Sequence, residues 1–226
     1  MPASHFSVDQ LFYFGSFNPP TRGHFWVMAE SLKHISSVGG LLVVPSYQHV
    51  WEKPLAEYED RCTMLQLGLE EMPVLKKSVR VSRIEHDKKL SGYTIDTIKK
   101  YHHDLGGDKK FGIIVGADTI KVFNKWRDWQ ELLQLVEVFV FPRAPMSTEA
   151  EIIAAVPDSM KNVVHQRIHP LMSGKKLDYL DVSSVRARKE ISETGKSKIL
   201  SPAVLAYIRK KSIYLVRSET DMKATS

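Results

Sequence analysis

The sequence predicts an α/β protein built on a mainly parallel sheet, and three observations point to it. Apolar runs of strand length alternate with longer segments of helical period along most of the chain. The 226 residues are enough for a substantial core, and at 43% apolar and 26% charged their composition is that of an ordinary globular protein. The longest apolar stretches, Leu41-Leu42-Val43-Val44 and Val138-Phe139-Val140-Phe141, fall far short of the roughly 18 residues of a membrane span, so no transmembrane protein is expected.

The elements follow in order. A first strand is expected over Gln10 to Gly15 and a helix over Gly23 to Ser36; a second strand, Gly40 to Pro45, leads to a helix over Tyr58 to Met72. The third strand, Val79 to Ile84, precedes a helix over Thr94 to Asp104, and the fourth, Phe111 to Gly116, precedes one over Asp128 to Leu135. Val136 to Phe141, a helix over Thr148 to Ala155 and a less regular strand over Asn162 to Ile168 close the alternation. Each of these helices is long enough to cross over a sheet.

After about residue 180 the pattern changes to two helices, Ser183 to Glu193 and Pro202 to Lys211, followed by a short apolar Ile213-Tyr214-Leu215-Val216. Pro202 suits a first helical turn with Ser201 as N-cap, and Arg209-Lys210-Lys211 suits the last turn. The expectation is one domain over residues 1–217 with a helical C-terminal subregion, and a polar, disordered tail over 218–226.

The formal charge of +6 is uneven: residues 160–226 carry +8 and residues 1–159 carry −2. Such a basic C-terminal third is either a solvated surface or a site for a polyanion, whether nucleic acid or a nucleotide's phosphates. A single cysteine, Cys62, excludes an intrachain disulfide and any multi-cysteine metal site, which fits a reducing cytoplasm. Residues 1–10 have neither the basic start nor the apolar run of a secretory signal.

The stretch Gly15-Ser16-Phe17-Asn18-Pro19-Pro20-Thr21-Arg22-Gly23-His24 leaves the first strand and opens the first helix. In open α/β sheets, ligands bind outside the carboxyl ends of the strands, where helix N-termini offer free N–H groups to anions. A phosphate suits this loop: Gly15 allows close approach to the backbone, Asn18-Pro19-Pro20 fixes a turn, and Gly23 clears space beside the imidazole of His24.

Thr21-x-Gly23-His24 resembles the T/H-x-G-H signature of the nucleotidyltransferase superfamily, and three later segments narrow the resemblance to the nicotinate-nucleotide adenylyltransferases. Ser91-Gly92-Tyr93-Thr94-Ile95-Asp96-Thr97-Ile98 is similar to the family's S-Y-T-x-D-T-L. Gly116-Ala117-Asp118 with Trp126 and Trp129 is similar to its G-A-D and tryptophan segment. Val182-Ser183-Ser184-Val185-Arg186-Ala187-Arg188, with Pro202 to Tyr214, is similar to its I-S-S-T-x-I-R and P-x-x-V-x-x-Y-I endings. The four matches are in order and run from residue 10 to residue 216.

The resemblance implies a Rossmann-like parallel sheet and direct attack of a mononucleotide 5′-phosphate on the α-phosphorus of ATP, expelling pyrophosphate. Such catalysis is positioning and charge stabilisation, with Mg2+ on the leaving pyrophosphate and no covalent intermediate. By resemblance, Ser16 and Phe17 present N–H groups to the reacting phosphates, while Thr21 and His24 contact those of ATP. Ser183, Ser184 and Arg188 hold the β- and γ-phosphates. Gly116 and Asp118 meet the ATP ribose, although a carboxylate there equally suits a helix N-cap. Trp126 stacks on the pyridine ring, unless it only packs, with Tyr93 and Thr94 lining the same pocket. Lys53 and Arg61 match basic positions that could meet phosphate, and Arg61 could instead pair with Glu57. Catalysis is thus assigned to His24, Thr21 and Arg188.

Three residues depart from the family pattern: Phe14 before Gly15, Gly92, and Val185. The expected partners are ATP and a pyridine mononucleotide, with no membrane and no nucleic acid; a homodimer is one option the sequence leaves open. Nicotinamide mononucleotide and pantetheine phosphate are the alternative acceptors. An RNA-binding, synthetase-like module without turnover is the alternative from another class, but no second synthetase-like lysine motif accompanies the first. His165 and His169 have zinc-helix spacing without the glutamate that chemistry needs.

Overall fold

The computed structural model describes residues 6–47, 55–172 and 182–215. Its first part runs β1 (Phe6–Val8), β2 (Gln10–Gly15), α1 (Arg22–His34), β3 (Ile35–Ser37), β4 (Leu41–Pro45), α2 (Tyr58–Glu70), α3 (Pro73–Lys76) and β5 (Val79–Val81). Next come α4 (Ile84–Asp87), α5 (Thr94–Leu105), β6 (Phe111–Gly116), α6 (Ala117–Ile120), α7 (Trp129–Leu135), β7 (Val136–Phe141) and α8 (Glu149–Ala155). The last elements are β8 (Ile168–Pro170), α9 (Ser184–Thr194) and α10 (Pro202–Lys211).

Six strands form one parallel sheet in the order β5-β4-β2-β6-β7-β8. The chain moves outward from β2 to β4 and β5, returns to place β6 on the other side of β2, and then moves outward again. The point where direction reverses lies between β2 and β6, and the crevice beyond their carboxyl ends is where such sheets take ligands. Both faces of the sheet are buried, which explains the nearly unbroken apolar strands. In β6 and β7, Ile113, Val115, Val138 and Val140 face the core shared with α5 to α8. Ile114, Phe139 and Phe141 face the opposite core, with Leu11, Val43 and the α1 residues Phe25 and Met28. A third apolar cluster joins Met64 of α2 to Ala187 and Ile191 of α9 and to Val204 and Ile208 of α10.

Three segments differ most from expectation. The first helix stops at His34 because β-branched Ile35 turns extended and pairs with Phe6, forming a separate two-stranded sheet of β1 and β3 that strands of three residues do not announce. β5 ends at Val81 rather than Ile84: Ser82 donates its amide to Val43 O at 2.8 Å, and Ile84 already opens a helical turn. The strand expected over Asn162 to Ile168 is mostly a 3-10 helix, Asp158–Val163, and a turn in which His165 adopts φ +64; β8 starts only at Ile168. Pro170, which has no N–H to donate, is tolerated because β8 is an edge strand. After α10, Ser212 and Tyr214 have φ +54 and +63, and Tyr214 reaches back to Asn18 through its hydroxyl. The expected tail over 218–226 lies outside the described residues.

Candidate active site at the carboxyl ends of the central strands

The loop between β2 and α1 crosses the reversal point. Gly15 is the last residue of β2, and a Cβ there would come within 3.1 Å of the Phe17 ring, so the glycine lets that ring fold back under the loop. Phe17 sits at φ +46, a conformation uncommon for a bulky residue, and its ring is wedged edge-on against Tyr13 and His24 at 5.4 and 5.2 Å between centroids. Asn18, itself buried, has its side-chain oxygen held by the Ala56 amide at 3.0 Å and the Tyr214 hydroxyl at 2.5 Å.

Thr21 is the N-cap residue of α1 and is wholly buried. Its amide donates to Nδ1 of His24 at 2.9 Å, and its Oγ1 lies 2.9 Å from the same nitrogen. A neutral imidazole accepting at Nδ1 carries its proton on Nε2. Burial, and next the positive charge of Arg143, push the His24 pKa down to about 3, so the neutral form holds through the physiological range.

A cleft at this point is lined by Tyr13, Thr21, Gly23, His24, Gly116, Arg143 and Val182, among others. Asp118, two residues past the end of β6, meets Arg143 with Nε–Oδ2 at 3.3 Å. A Cβ on Gly116 would strike the Asp118 carboxylate at 2.5 Å, so glycine is what lets that carboxylate turn back over the strand end. The sequence reading missed Arg143. Its signal was positional: it follows Phe141-Pro142 directly at the carboxyl end of β7, the edge on which Thr21, His24 and Asp118 also lie.

The third wall comes from α9. Ser183 caps this helix, accepting from the Arg186 amide at 3.2 Å. Ser184 donates to Pro19 O at 2.8 Å, and Arg188 donates through Nη1 to Asn18 O at 2.7 Å. The N-terminal turn of α9 is thereby tied to the loop that leads into the helix bearing His24, which places Ser183, Ser184 and Arg188 on the same side as Thr21 and His24. Val185, where the family has a hydroxyl, is 66% exposed and points away from this contact.

On the other side of the crevice, Tyr93 caps α5, with its amide donating to Ser91 Oγ at 3.2 Å and Ser91 Oγ donating to Asp96 at 2.5 Å. Gly92 has φ +81, so the departure from serine there serves a left-handed turn. The Arg127 guanidinium lies over the Tyr93 ring at 4.9 Å and its Nη1 is 3.5 Å from Asp96. Trp126, half-buried, stacks on Phe123 at 4.7 Å, so one of its faces is already committed to packing. Thr94 is half-buried at the first turn of α5, and Lys53 lies outside the described residues. Arg61 neither pairs with Glu57 nor presents a charge to the surface: it is fully buried and bonded to carbonyls. The two histidines with zinc spacing are not on a helix, and Nε2 of His169 lies 2.8 Å from the Glu137 carboxylate.

The cytidylyltransferase-like family model matches residues 12–190, which span nearly all of the large sheet, the loop between β2 and α1 and the N-terminal turn of α9. The chain belongs to this family. Its relatives include a Leptospira interrogans protein named "Probable nicotinate-nucleotide adenylyltransferase", 28% identical over 204 residues and covering 88% of this chain and 94% of its own length. A Buchnera aphidicola protein of the same name is 26% identical over 212 residues, 91% of this chain and 95% of its own. Among solved structures, the Plasmodium falciparum nicotinic acid mononucleotide adenylyltransferase complexed with NaAD superposes with a TM-score of 0.74 at 21% identity, covering 93% of this chain and 98% of that one. The fold is therefore the family's Rossmann-like α/β fold over nearly the whole chain. Among the described residues, no helix is long and apolar enough to cross a membrane.

Proposed function

We propose that the protein transfers AMP from ATP to nicotinate mononucleotide, giving nicotinate adenine dinucleotide and pyrophosphate. The observation that carries this reading is the convergence, at the reversal point of the sheet, of the Phe17 loop, a neutral His24 and the Arg188-bearing turn of α9. The residues are donors without a nucleophile, which suits direct attack of one phosphate on another.

In this reading ATP lies over the Ser16–Phe17 loop, with its ribose at Gly116 and Asp118 and its β- and γ-phosphates at Ser183, Ser184 and Arg188. His24, positioned by Thr21, donates from Nε2 to an oxygen of the reacting phosphate, where negative charge builds in the transition state. Ribose binding at Asp118 requires Arg143 to give up part of its ion pair, which frees a cation beside the phosphates. Tyr93, Thr94 and the free face of Trp126 line the pyridine side; Lys53, assigned to the mononucleotide phosphate by resemblance, lies outside the described residues. Arg127 beside Tyr93 favours an acidic pyridine substituent over the amide.

Magnesium fits as part of the nucleotide rather than as a resident ion. Among the described residues no three His, Cys, Asp or Glu side chains cluster, and Asp118, at the cleft, is paired with Arg143. Carried in on the ATP phosphates, the ion would supply positive charge to the leaving pyrophosphate. The working unit is one domain through residue 217, in a reducing cytoplasm that suits its buried lone cysteine.

The test is pyrophosphate release with magnesium and ATP, offered separately with nicotinate mononucleotide, nicotinamide mononucleotide and phosphopantetheine. Release with the nicotinate compound, reduced roughly a hundredfold in His24→Ala, is the expected result. Release with none of the three, in folded protein that binds ATP, would refute the proposal.

A further inference from the structure

Arg61 is the largest side chain that the fold buries completely, at 1% exposure. Among the described residues no carboxylate stands within ion-pair distance of it; its guanidinium instead makes three hydrogen bonds to main-chain carbonyls. Nε donates to Ala56 O at 3.0 Å, Nη1 to Ser16 O at 2.8 Å and Nη2 to Ser46 O at 2.8 Å. Burying an uncompensated cation is expensive, and a fork this rigid fixes the planes of the peptides it holds.

The consequence is directional. In a trans peptide the C=O of one residue and the N–H of the next point opposite ways. The Ser16–Phe17 bond is trans, so drawing Ser16 O inward onto Arg61 turns the Phe17 N–H away from the interior. That amide finds no acceptor among the described residues, and it belongs to the residue held at φ +46 against His24. The Ser46–Tyr47 peptide is gripped on both sides, its carbonyl by Arg61 and its N–H by the buried Glu85 at 3.0 Å. One guanidinium thus joins the loop after β2 to the chain leaving β4.

We propose that Arg61 is a positioning residue for phosphoryl transfer: by holding Ser16 O it aims the Phe17 N–H at the reacting phosphate, and by holding Ser46 O it anchors that grip to the chain leaving β4. This rests on the adenylyltransfer reading above. The side chain touches neither substrate and acts through the main chain.

The experiment compares the wild type with Arg61→Lys, which keeps a cation but loses the fork, and Arg61→Met. Pyrophosphate release and melting temperature are measured for each, and the Phe17 amide is followed in protein labelled with 15N-phenylalanine as a non-hydrolysable ATP analogue is added. The expected result for folded Arg61→Lys is a kcat about tenfold to a hundredfold lower, with KM values within about threefold of wild type. The Phe17 amide shifts with the analogue in the wild type and not in the variant. A folded Arg61→Lys with wild-type kcat overturns the inference. So does a wild-type Phe17 amide that ignores the analogue, and this measurement decides the matter even where neither variant folds. A wild type that turns over none of the acceptors sinks the functional reading instead, and the amide response then still tests what Arg61 aims.

Discussion

The Thr21 amide donates to Nδ1 of His24 at 2.9 Å, which leaves Nε2 as the ring's only donor and directs it away from the backbone of its own helix. The tautomer is set by the main chain, so it survives any side-chain substitution at Thr21 that keeps the helix start in place.

The first expectation concerns pH. Because burial and Arg143 hold the His24 pKa near 3, its ring resonances in the free protein stay constant between pH 5 and 8, as two-dimensional NMR of the imidazole nitrogens would show. The unfolded chain takes up this proton near the ordinary value of about 6.5, so stability falls as pH drops from there toward 3. His24→Gln therefore loses less melting temperature than the wild type between pH 7 and pH 4. An equal loss in both would show that the ring is not held neutral.

Arg188 spends Nη1 on Asn18 O, and the proposed reading gives the rest of its fork to the ATP phosphates. Arg188→Lys keeps the charge but cannot both brace the loop and bind bidentately. Its KM for ATP rises about tenfold or more, on the strength of a charge-assisted bond of roughly 1.5–3 kcal/mol, while that for the mononucleotide moves little. Steady-state kinetics with each substrate varied in turn would settle it, and equal rises in both KM values would contradict the assignment.

Arg127 lies on the Tyr93 ring beside Trp126. Arg127→Met removes the charge and keeps much of the apolar contact, so the ratio of kcat/KM for nicotinate over nicotinamide mononucleotide drops, by about tenfold if the pair is worth around 1.4 kcal/mol. Competition assays with both acceptors present give the ratio directly. An unchanged ratio would mean that the acid is read elsewhere.

The Tyr214 hydroxyl reaches Asn18 from near the far end of the chain, at 2.5 Å. Tyr214→Phe removes one of the donors to the buried Asn18 oxygen and costs about 1 kcal/mol of stability, together with a lower kcat. Thermal melts and turnover are both expected to move; a melting temperature that falls with kcat intact would confine Tyr214 to a structural role.

Most of the sheet was legible because both its faces are buried: β2, β6 and β7 are apolar runs broken only by Gln10 and Glu137 and bounded by Gly15, Gly116 and Pro142. The strands of three residues were not, since Phe6 to Val8 and Ile35 to Ser37 are too short for any period to show. The site was readable where chemistry sits in a contiguous motif, as in Thr21 to His24. Arg61 and Arg143 were misread or missed because their roles depend on what lies across the crevice, which spacing along the chain does not encode. Trp126 is intermediate: its place was legible, but not that Phe123 takes one of its faces.

The docking of α9 and α10 onto Met64 of α2 also orders events in time. A growing chain that has emerged only through residue 172 already holds all six strands of the large sheet, together with Thr21 and His24. It lacks Ser184, Arg188 and Tyr214, and with them the bonds that secure Asn18 and Pro19. The helical pair that ties down the loop before α1 is thus the last part of the described chain to be synthesised, after every strand of the large sheet.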